Sequence, residues 1–258
     1  MHPGLAQLSS MKQRGEKIAM LTAYDYPTAR LLDDGGIDLL LVGDSVGMVV
    51  LGYPDTTLVT LAEMLHHTRA VARGVKRAAI LADLPIDTFG TPEQAVATSR
   101  ELVAAGAHGV KLEGGASHVA QVRAIAQVGI PVMAHIGMQP QRVRIEGGYR
   151  MKGKTAEEAE ALMADAKAAE AAGAFGLLLE LVQPDTARRI IQATSIPTIG
   201  IGSGLDCDGQ VLVTHDLIGL FPWFRPKFAK PAADVAGQIT AALGEYLRRV
   251  KSAAERNG

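Results

Sequence analysis

Five apolar runs in this chain each lead into an ionisable side chain. Leu39–Val42 is followed through Gly43 by Asp44, Ile80–Ala82 by Asp83, Val110-Lys111-Leu112 by Glu113, Pro131–Ala134 by His135 and Leu177–Leu179 by Glu180. A carboxylate at the end of a buried strand is costly unless it is paired, hydrogen-bonded or bound to metal. Asp44 and Asp83 have no His or Cys beside them. They suit a hard cation such as Mg²⁺, which takes oxygen ligands and keeps positions open for water or substrate. Glu113 is a third ligand or a partner behind the first two. Glu180 stands alone at its strand end, the right kind of group for a general base. Lys111 and His135 supply donors for an anionic substrate, and Ser45 with its neighbouring backbone is placed to hold another oxygen. Taken singly, each residue has a plainer reading. An Asp after a strand is ordinarily a helix cap or turn residue, Glu113 before Gly114-Gly115 a solvated loop residue, and a His at a strand end structural. Recurrence at five strand ends carries the weight. It describes a metal-dependent enzyme acting on a small oxyanion.

Such convergence requires parallel strands whose C-terminal ends meet on one rim, and the chain supplies them. Strands are expected at 17–23, 38–42, 78–82, 109–112, 131–134, 175–179, 197–201 and 210–213. Between them lie helices with legible starts. Thr60-x-x-Glu63 is a capping box, Thr91-Pro92 a cap with proline at the first helical position, and Thr155-x-x-Glu158 the cap of an Ala-rich helix. AAGAHGVKLE at 104–113 returns as AAGAFGLLLE at 171–180. Each is a helix end, a turn, a strand and a glutamate, as a repeated β/α unit requires. Eight such units in 258 residues favour a (β/α)8 TIM barrel as a single domain over 1–258, with a short N-terminal cap at 1–16 and a C-terminal amphipathic helix at 232–254. An open, doubly wound sheet is the alternative. Active sites of barrels lie at the C-terminal strand ends. The stretch 139–154 (QPQRVRIEGGYRMKGK) is long for a β/α connection and, over 143–154, is a candidate for closing over the site. His66-His67, Asp206 and Asp208 read as helix surface and loop. Gly200-Ile201-Gly202-Ser203-Gly204 reads as a tight barrel turn or a weak phosphate cradle.

Composition narrows the class. Hydrophobic residues make up 48% and charged residues 21%, with a formal net charge of −1. That balance, without a Lys/Arg cluster, argues against nucleic-acid binding. Cys207 is the only cysteine, which excludes an intrachain disulfide and a Cys-based zinc site. The N-terminus lacks the apolar core of a signal peptide, and no apolar run approaches the length of a membrane helix. A cytoplasmic protein is expected.

Several stretches together resemble the ketopantoate hydroxymethyltransferases: MLTAYDYPTA (20–29), VGDSVGMVVLGYPDTTLVT (42–60), AGAHGVKLEGG (105–115), IPVMAHIGMQPQ (130–141), GGYRMKG (147–153) and SIPTIGIGSGLDCDGQVLVTHDLIGL (195–220). With the intervening matches they cover nearly the whole chain in order. The resemblance implies a (β/α)8 barrel of the phosphoenolpyruvate/pyruvate type. It implies transfer of a hydroxymethyl group from 5,10-methylenetetrahydrofolate to 3-methyl-2-oxobutanoate, giving 2-dehydropantoate in the first committed step of pantothenate synthesis. Carried over by position, Asp44 and Asp83 are Mg²⁺ ligands and Glu113 the more distant carboxylate of the metal site. Asp44, Ser45, Asp83 and Lys111 contact the oxo acid, His135 is a further pocket residue, and Glu180 is the proton acceptor. A homo-oligomer, a decamer in bacterial members, is likewise implied. Two rivals remain. One is a related barrel enzyme of the isocitrate lyase or phosphonomutase kind, which usually carries a reactive loop cysteine that Cys207 in LDCDG does not match. The other is a non-catalytic barrel that binds a small acid.

Overall fold

The structure, a computed structural model, describes residues 2–255. Met1–Val211 and Leu212–Gly258 form two compact units. The strands are β1 (Ile18–Thr22), β2 (Leu39–Val42), β3 (Ala79–Asp83), β4 (Gly109–Glu113), β5 (Val132–Gly137), β6 (Gly176–Glu180), β7 (Thr198–Ile201) and β8 (Gly209–Leu212). They succeed one another around a closed barrel, and neighbours from β1 to β8 pair in parallel. The helices are α1 (Pro3–Arg14), α2 (Tyr26–Asp34), α3 (Val46–Val49), α4 (Leu61–Gly74), α5 (Pro92–Ala104), α6 (Val119–Gln127), α7 (Val143–Glu146), α8 (Ala156–Ala171) and α9 (Pro184–Ala193), then α10 (Thr214–Leu217) and α11 (Val235–Glu255) in the second unit. Thr60 and Glu63 form the reciprocal capping box expected of them. At α5 and α8 the Thr cap is present, but the side chains of Gln94 and Glu158 reach one residue further back, to Gly90 N and Lys154 N.

The period-two alternation of strands sorts side chains into two cores. Leu40, Val42, Ile80, Ala82, Val110, Leu112, Ala134 and Leu179 face outward and pack under the helices. Leu39, Leu41, Ala79, Leu81, Met133, Leu178 and Ile199 fill the interior, and Leu5, Leu8 and Met11 of α1 plug it from the N-terminal end. Asp208, expected to be a plain loop residue, ties this end together: its Oδ2 accepts from Lys12 Nζ at 3.0 Å and from Thr198 N at 2.8 Å. The inward parity continues upward from Leu81 to Asp83, from Lys111 to Glu113, from Met133 to His135 and from Leu178 to Glu180. The ionisable groups are thus the top layer of the barrel interior.

Two expectations change. β5 runs two residues beyond His135, to Gly137, so His135 lies within its strand. Gly137 has φ +99, and a Cβ there would come within 2.3 Å of Glu180 O; this close approach is what lets Met138 N donate to Glu180 O at 2.8 Å. The stretch 139–154 is less irregular than its glycines suggest. It contains a 3-10 turn at Pro140–Arg142 followed by α7.

In the second unit, Ala232 N and Val235 N donate to Leu217 O and Ile218 O and so link the entry of α11 to the exit of α10. Ile239, Leu243, Tyr246, Leu247 and Val250 are exposed on α11. Their spacing places them along one apolar stripe. Among the described residues, no helix is long and apolar enough to cross a membrane.

The Gly137→Ala substitution should cost about 1–3 kcal/mol, because it adds a Cβ at a positive φ against strand backbone. Denaturant unfolding checks this. An unchanged midpoint would show that β5 and β6 can part without loss.

Candidate active site

Strand register builds the rim. Asp83 lies beside Lys111 across β3 and β4, Glu113 beside His135 across β4 and β5, and Glu180 beside Gly137 across β5 and β6. Asp44 sits two residues beyond β2, where its backbone N–H donates to Asp83 Oδ2 at 3.0 Å. Asp44, Asp83, Lys111, Glu113 and His135 are each 4% exposed or less. The Glu180 side chain is 13% exposed and more open. All five strand-end residues singled out in the sequence therefore converge, with Lys111 among them.

Lys111 is the hub. Its Nζ lies 3.3 Å from Asp83 Oδ1 and 3.0 Å from His135 Nδ1. Burial pulls the ammonium pKa down, but Asp83, Glu113, Asp44 and Glu180 together outweigh it and hold the group charged. Burial and then Lys111 depress His135 well below the usual imidazole range, so its ring is neutral. Nδ1 accepts from the ammonium, which leaves the proton on Nε2. Nε2 points toward Glu180 Oε2 at 3.4 Å, outside hydrogen-bond geometry. Burial also raises the carboxylates. Asp44 and Glu113 go up, while Asp83 and Glu180 each reach about 7 against the opposing pull of Lys111. Among the described residues Glu113 Oε1 is buried without a hydrogen-bond partner and lies 3.7 Å from His135 Nδ1.

Ser45 stands at the mouth. Its Oγ is 2.8 Å from the phenol of buried Tyr24. Gly43 makes room for that hydroxyl, since a Cβ there would sit 2.9 Å from it. Leu181, directly after Glu180, has φ +48. A bulky residue rarely adopts this conformation away from functional sites. The turn directs Leu181 O to Lys152 N at 2.8 Å.

Gln141 escaped sequence reasoning. It is 6% exposed. Its Nε2 donates to Asp44 Oδ2 at 2.8 Å and to Leu84 O at 2.9 Å, and its backbone N–H donates to Glu113 Oε2 at 3.0 Å. One neutral residue thus joins the ends of β2 and β3 through its side chain and the end of β4 through its backbone. The segment that follows is pinned as well, by Arg144 forking onto Asp55 at 2.7 and 3.2 Å and by Lys152 against Leu181 and Gln183. Two other sequence readings resolve as structural. Ser203 Oγ accepts from Val182 N and donates to Leu179 O, so the Gly-rich stretch is a barrel turn. Cys207 is buried, with its thiol pushed up to about 11, which removes the reactive cysteine of the rival enzyme class.

Comparison with known proteins bears on the family and the fold. The family model described as ketopantoate hydroxymethyltransferase matches residues 4–254. A 3-methyl-2-oxobutanoate hydroxymethyltransferase from Moorella thermoacetica is 52% identical, over 96% of this chain and 93% of the relative. One from Ignicoccus hospitalis is 51% identical, over 93% of this chain and 91% of the relative. Among solved structures, a phosphoenolpyruvate phosphomutase from Streptomyces platensis superposes with a TM-score of 0.67 at 17% identity, covering 97% of this chain and 88% of that one. A 2,3-dimethylmalate lyase of the PEP mutase/isocitrate lyase superfamily superposes with a TM-score of 0.63 at 20% identity, covering 98% and 88%. At these identities the structural likeness speaks for the barrel alone.

The Gln141→Leu substitution leaves Asp44 Oδ2 and Leu84 O without their donor, and should cost about 1–3 kcal/mol in denaturant unfolding. Calorimetric titration with Mg²⁺ should show weaker binding by the variant. Unchanged stability and unchanged titration would make Gln141 a bystander.

Proposed function

The chain belongs to the ketopantoate hydroxymethyltransferase family, and from that membership we infer how its rim works. It transfers a hydroxymethyl group from 5,10-methylenetetrahydrofolate to 3-methyl-2-oxobutanoate and yields 2-dehydropantoate, the first committed step of pantothenate synthesis. The assignment of roles rests on one observation: a single buried ammonium, Lys111, set among four carboxylates at one barrel end.

That excess of negative charge fits a divalent cation. Asp44 and Asp83 would hold Mg²⁺, with Glu113 behind them, and the unpartnered Glu113 Oε1 is an oxygen waiting for positive charge. Among the described residues, no three His, Cys, Asp or Glu side chains form a ligand cluster of their own. This suits Mg²⁺, which commonly takes one or two carboxylates and completes its shell with water and substrate. When bound, the ion supplies Lewis acidity at the 2-oxo group, where negative charge develops as the C3 proton leaves.

The chain's own groups do the rest. Lys111 offsets the substrate carboxylate. The Ser45 hydroxyl, held by Tyr24, donates to a substrate oxygen. Neutral His135 presents its Nε2–H toward Glu180 Oε2, 3.4 Å away. Glu180 takes the C3 proton. Burial lifts it to about 7, which brings a carboxylate near the pKa at which a base is both available and strong enough. The C3 electron pair freed by proton removal then bonds to the one-carbon unit of the folate. A biosynthetic role of this kind suits the cytoplasm. The exposed apolar stripe on α11 suits contact with further copies of the chain, in keeping with a decameric homo-oligomer, which light scattering would read directly.

Glu180 works only as the carboxylate, and its folded-state pKa is raised. Turnover should therefore be present above about pH 7 and fall as pH drops through that value. Glu180→Gln should lower transfer by roughly 10²–10⁴-fold while calorimetry still detects oxo-acid binding. Transfer by the variant at the wild-type rate would exclude Glu180 as the base.

A further inference from the structure

Tyr24 is buried between the end of β1 and the start of α2. The backbone on both sides of it is held. Ala23 N donates to Leu41 O at 2.9 Å, and Asp25 caps α2 by accepting from Thr28 N at 2.8 Å. A third tie comes from α4. His67, which the sequence places on a helix surface, is half-buried, and its Nδ1 lies 2.7 Å from Tyr24 O. A carbonyl oxygen only accepts, so Nδ1 carries the proton. Three hydrogen bonds thus fix the backbone around a tyrosine whose hydroxyl reaches Ser45 Oγ, 2.8 Å away.

Ser45 stands at the N-cap of α3, where a serine ordinarily turns its hydroxyl onto a backbone N–H. Here it makes no such bond and meets Tyr24 instead. Each of the two hydroxyls has one proton to give. A phenol is a stronger acid than an aliphatic alcohol and therefore the better donor. Burial raises the Tyr24 phenol against the hydrogen bonds of Ser45 and Thr22, so it keeps its proton. The Thr22 hydroxyl engages the same phenol oxygen, which favours a chain running from Thr22 through Tyr24 to Ser45. In that direction each bond polarises the next. The Ser45 proton is then left to point into the site.

We propose that Tyr24 is a positioning residue for the transfer: its phenol donates to Ser45 Oγ and so directs the Ser45 proton at a substrate oxygen, while His67 fixes Tyr24 from α4. The role rests on the transfer inferred above, in which Ser45 meets the oxo acid. It differs from a packing role, because it acts through one hydroxyl and vanishes when that hydroxyl is gone.

The test is a double-mutant cycle on the full-length protein with Mg²⁺ present. Exchange of the C3 proton of 3-methyl-2-oxobutanoate is followed by proton NMR across a range of oxo-acid concentrations, and transfer is assayed with the folate added. Wild type, Tyr24→Phe, Ser45→Ala and the double variant are compared, and thermal melts verify that each folds. Tyr24→Phe should lower kcat for exchange about tenfold with KM nearly unchanged, less than the roughly 10²–10³-fold that follows loss of a direct donor to developing charge. In the Ser45→Ala background the same substitution should cost little, because the bond it breaks is already absent. His67→Ala should also slow exchange, and His67→Asn, which keeps an N–H near the place of Nδ1, should restore most of the rate. A wild-type rate in Tyr24→Phe, or an equal loss with and without the Ser45 hydroxyl, overturns the positioning role and leaves the function standing. A wild-type rate in His67→Ala overturns the part given to His67. Coupled losses in exchange without any transfer by the wild type support the role and overturn the function alone. Wild-type protein that neither exchanges nor transfers overturns both.

Discussion

Lys111 is the constraint on which the rest depends. An ammonium enclosed in a barrel interior costs several kcal/mol to desolvate. Its contact with Asp83 at 3.3 Å returns roughly 5 kcal/mol at an effective dielectric of 20. One carboxylate thus about offsets the ammonium. Asp44, Glu113 and Glu180 remain, and among the described residues no second buried Lys or Arg faces them. The protein keeps an acidic excess that raises the carboxylate pKa values and that a divalent cation with an anionic oxo acid would complete. The stored imbalance is the binding energy of the site in another form. It also accounts for why His135 is neutral, being depressed by burial and by the ammonium beside it.

The barrel makes this arrangement affordable. The inward residues below the rim are apolar and packed from beneath by α1, so the charged layer rests on a rigid floor and faces one opening. Register does the fine positioning, because a slip of one residue would turn Asp83 or Glu113 outward into the helix layer. Gln141 then ties the ends of β2, β3 and β4 together without adding charge. A Glu in its place would deepen the acidic excess, and a Lys would compete for the cation.

How much of this was legible in the sequence follows from where each residue sits. Asp83, Glu113 and Glu180 close apolar strands, and the same local pattern that predicts a strand marks its last residue. The eight strands and their order were legible for the same reason, since parallel buried strands read as short apolar runs between capped helices. Gln141 and Tyr24 were not, because their importance lies in contacts far along the chain: Gln141 meets Asp44 and Glu113, and Tyr24 meets Ser45. Nothing in the local composition of a Pro-Gln-Arg turn distinguishes it. The 143–154 segment reads as a long loop from its length and glycines, whereas the structure shows a short helix capped by Gly147, with Arg144 on Asp55. The family resemblance implied roles for residues, whereas the contacts around those residues came only with the fold.

Enolisation that needs both the metal and the rim is the central claim, and it can be read without the folate. Proton NMR of 3-methyl-2-oxobutanoate in D₂O with the wild-type protein follows loss of the C3 proton signal. With Mg²⁺ the signal should fade at an enzyme-dependent rate, and after chelation of divalent ions it should persist. Exchange that continues undiminished after chelation would contradict the claim that the acidic excess around Lys111 exists to hold a cation. Persistence of the signal in folded, Mg²⁺-loaded protein, with tetrahydrofolate present as well as absent, would contradict enolisation at this rim.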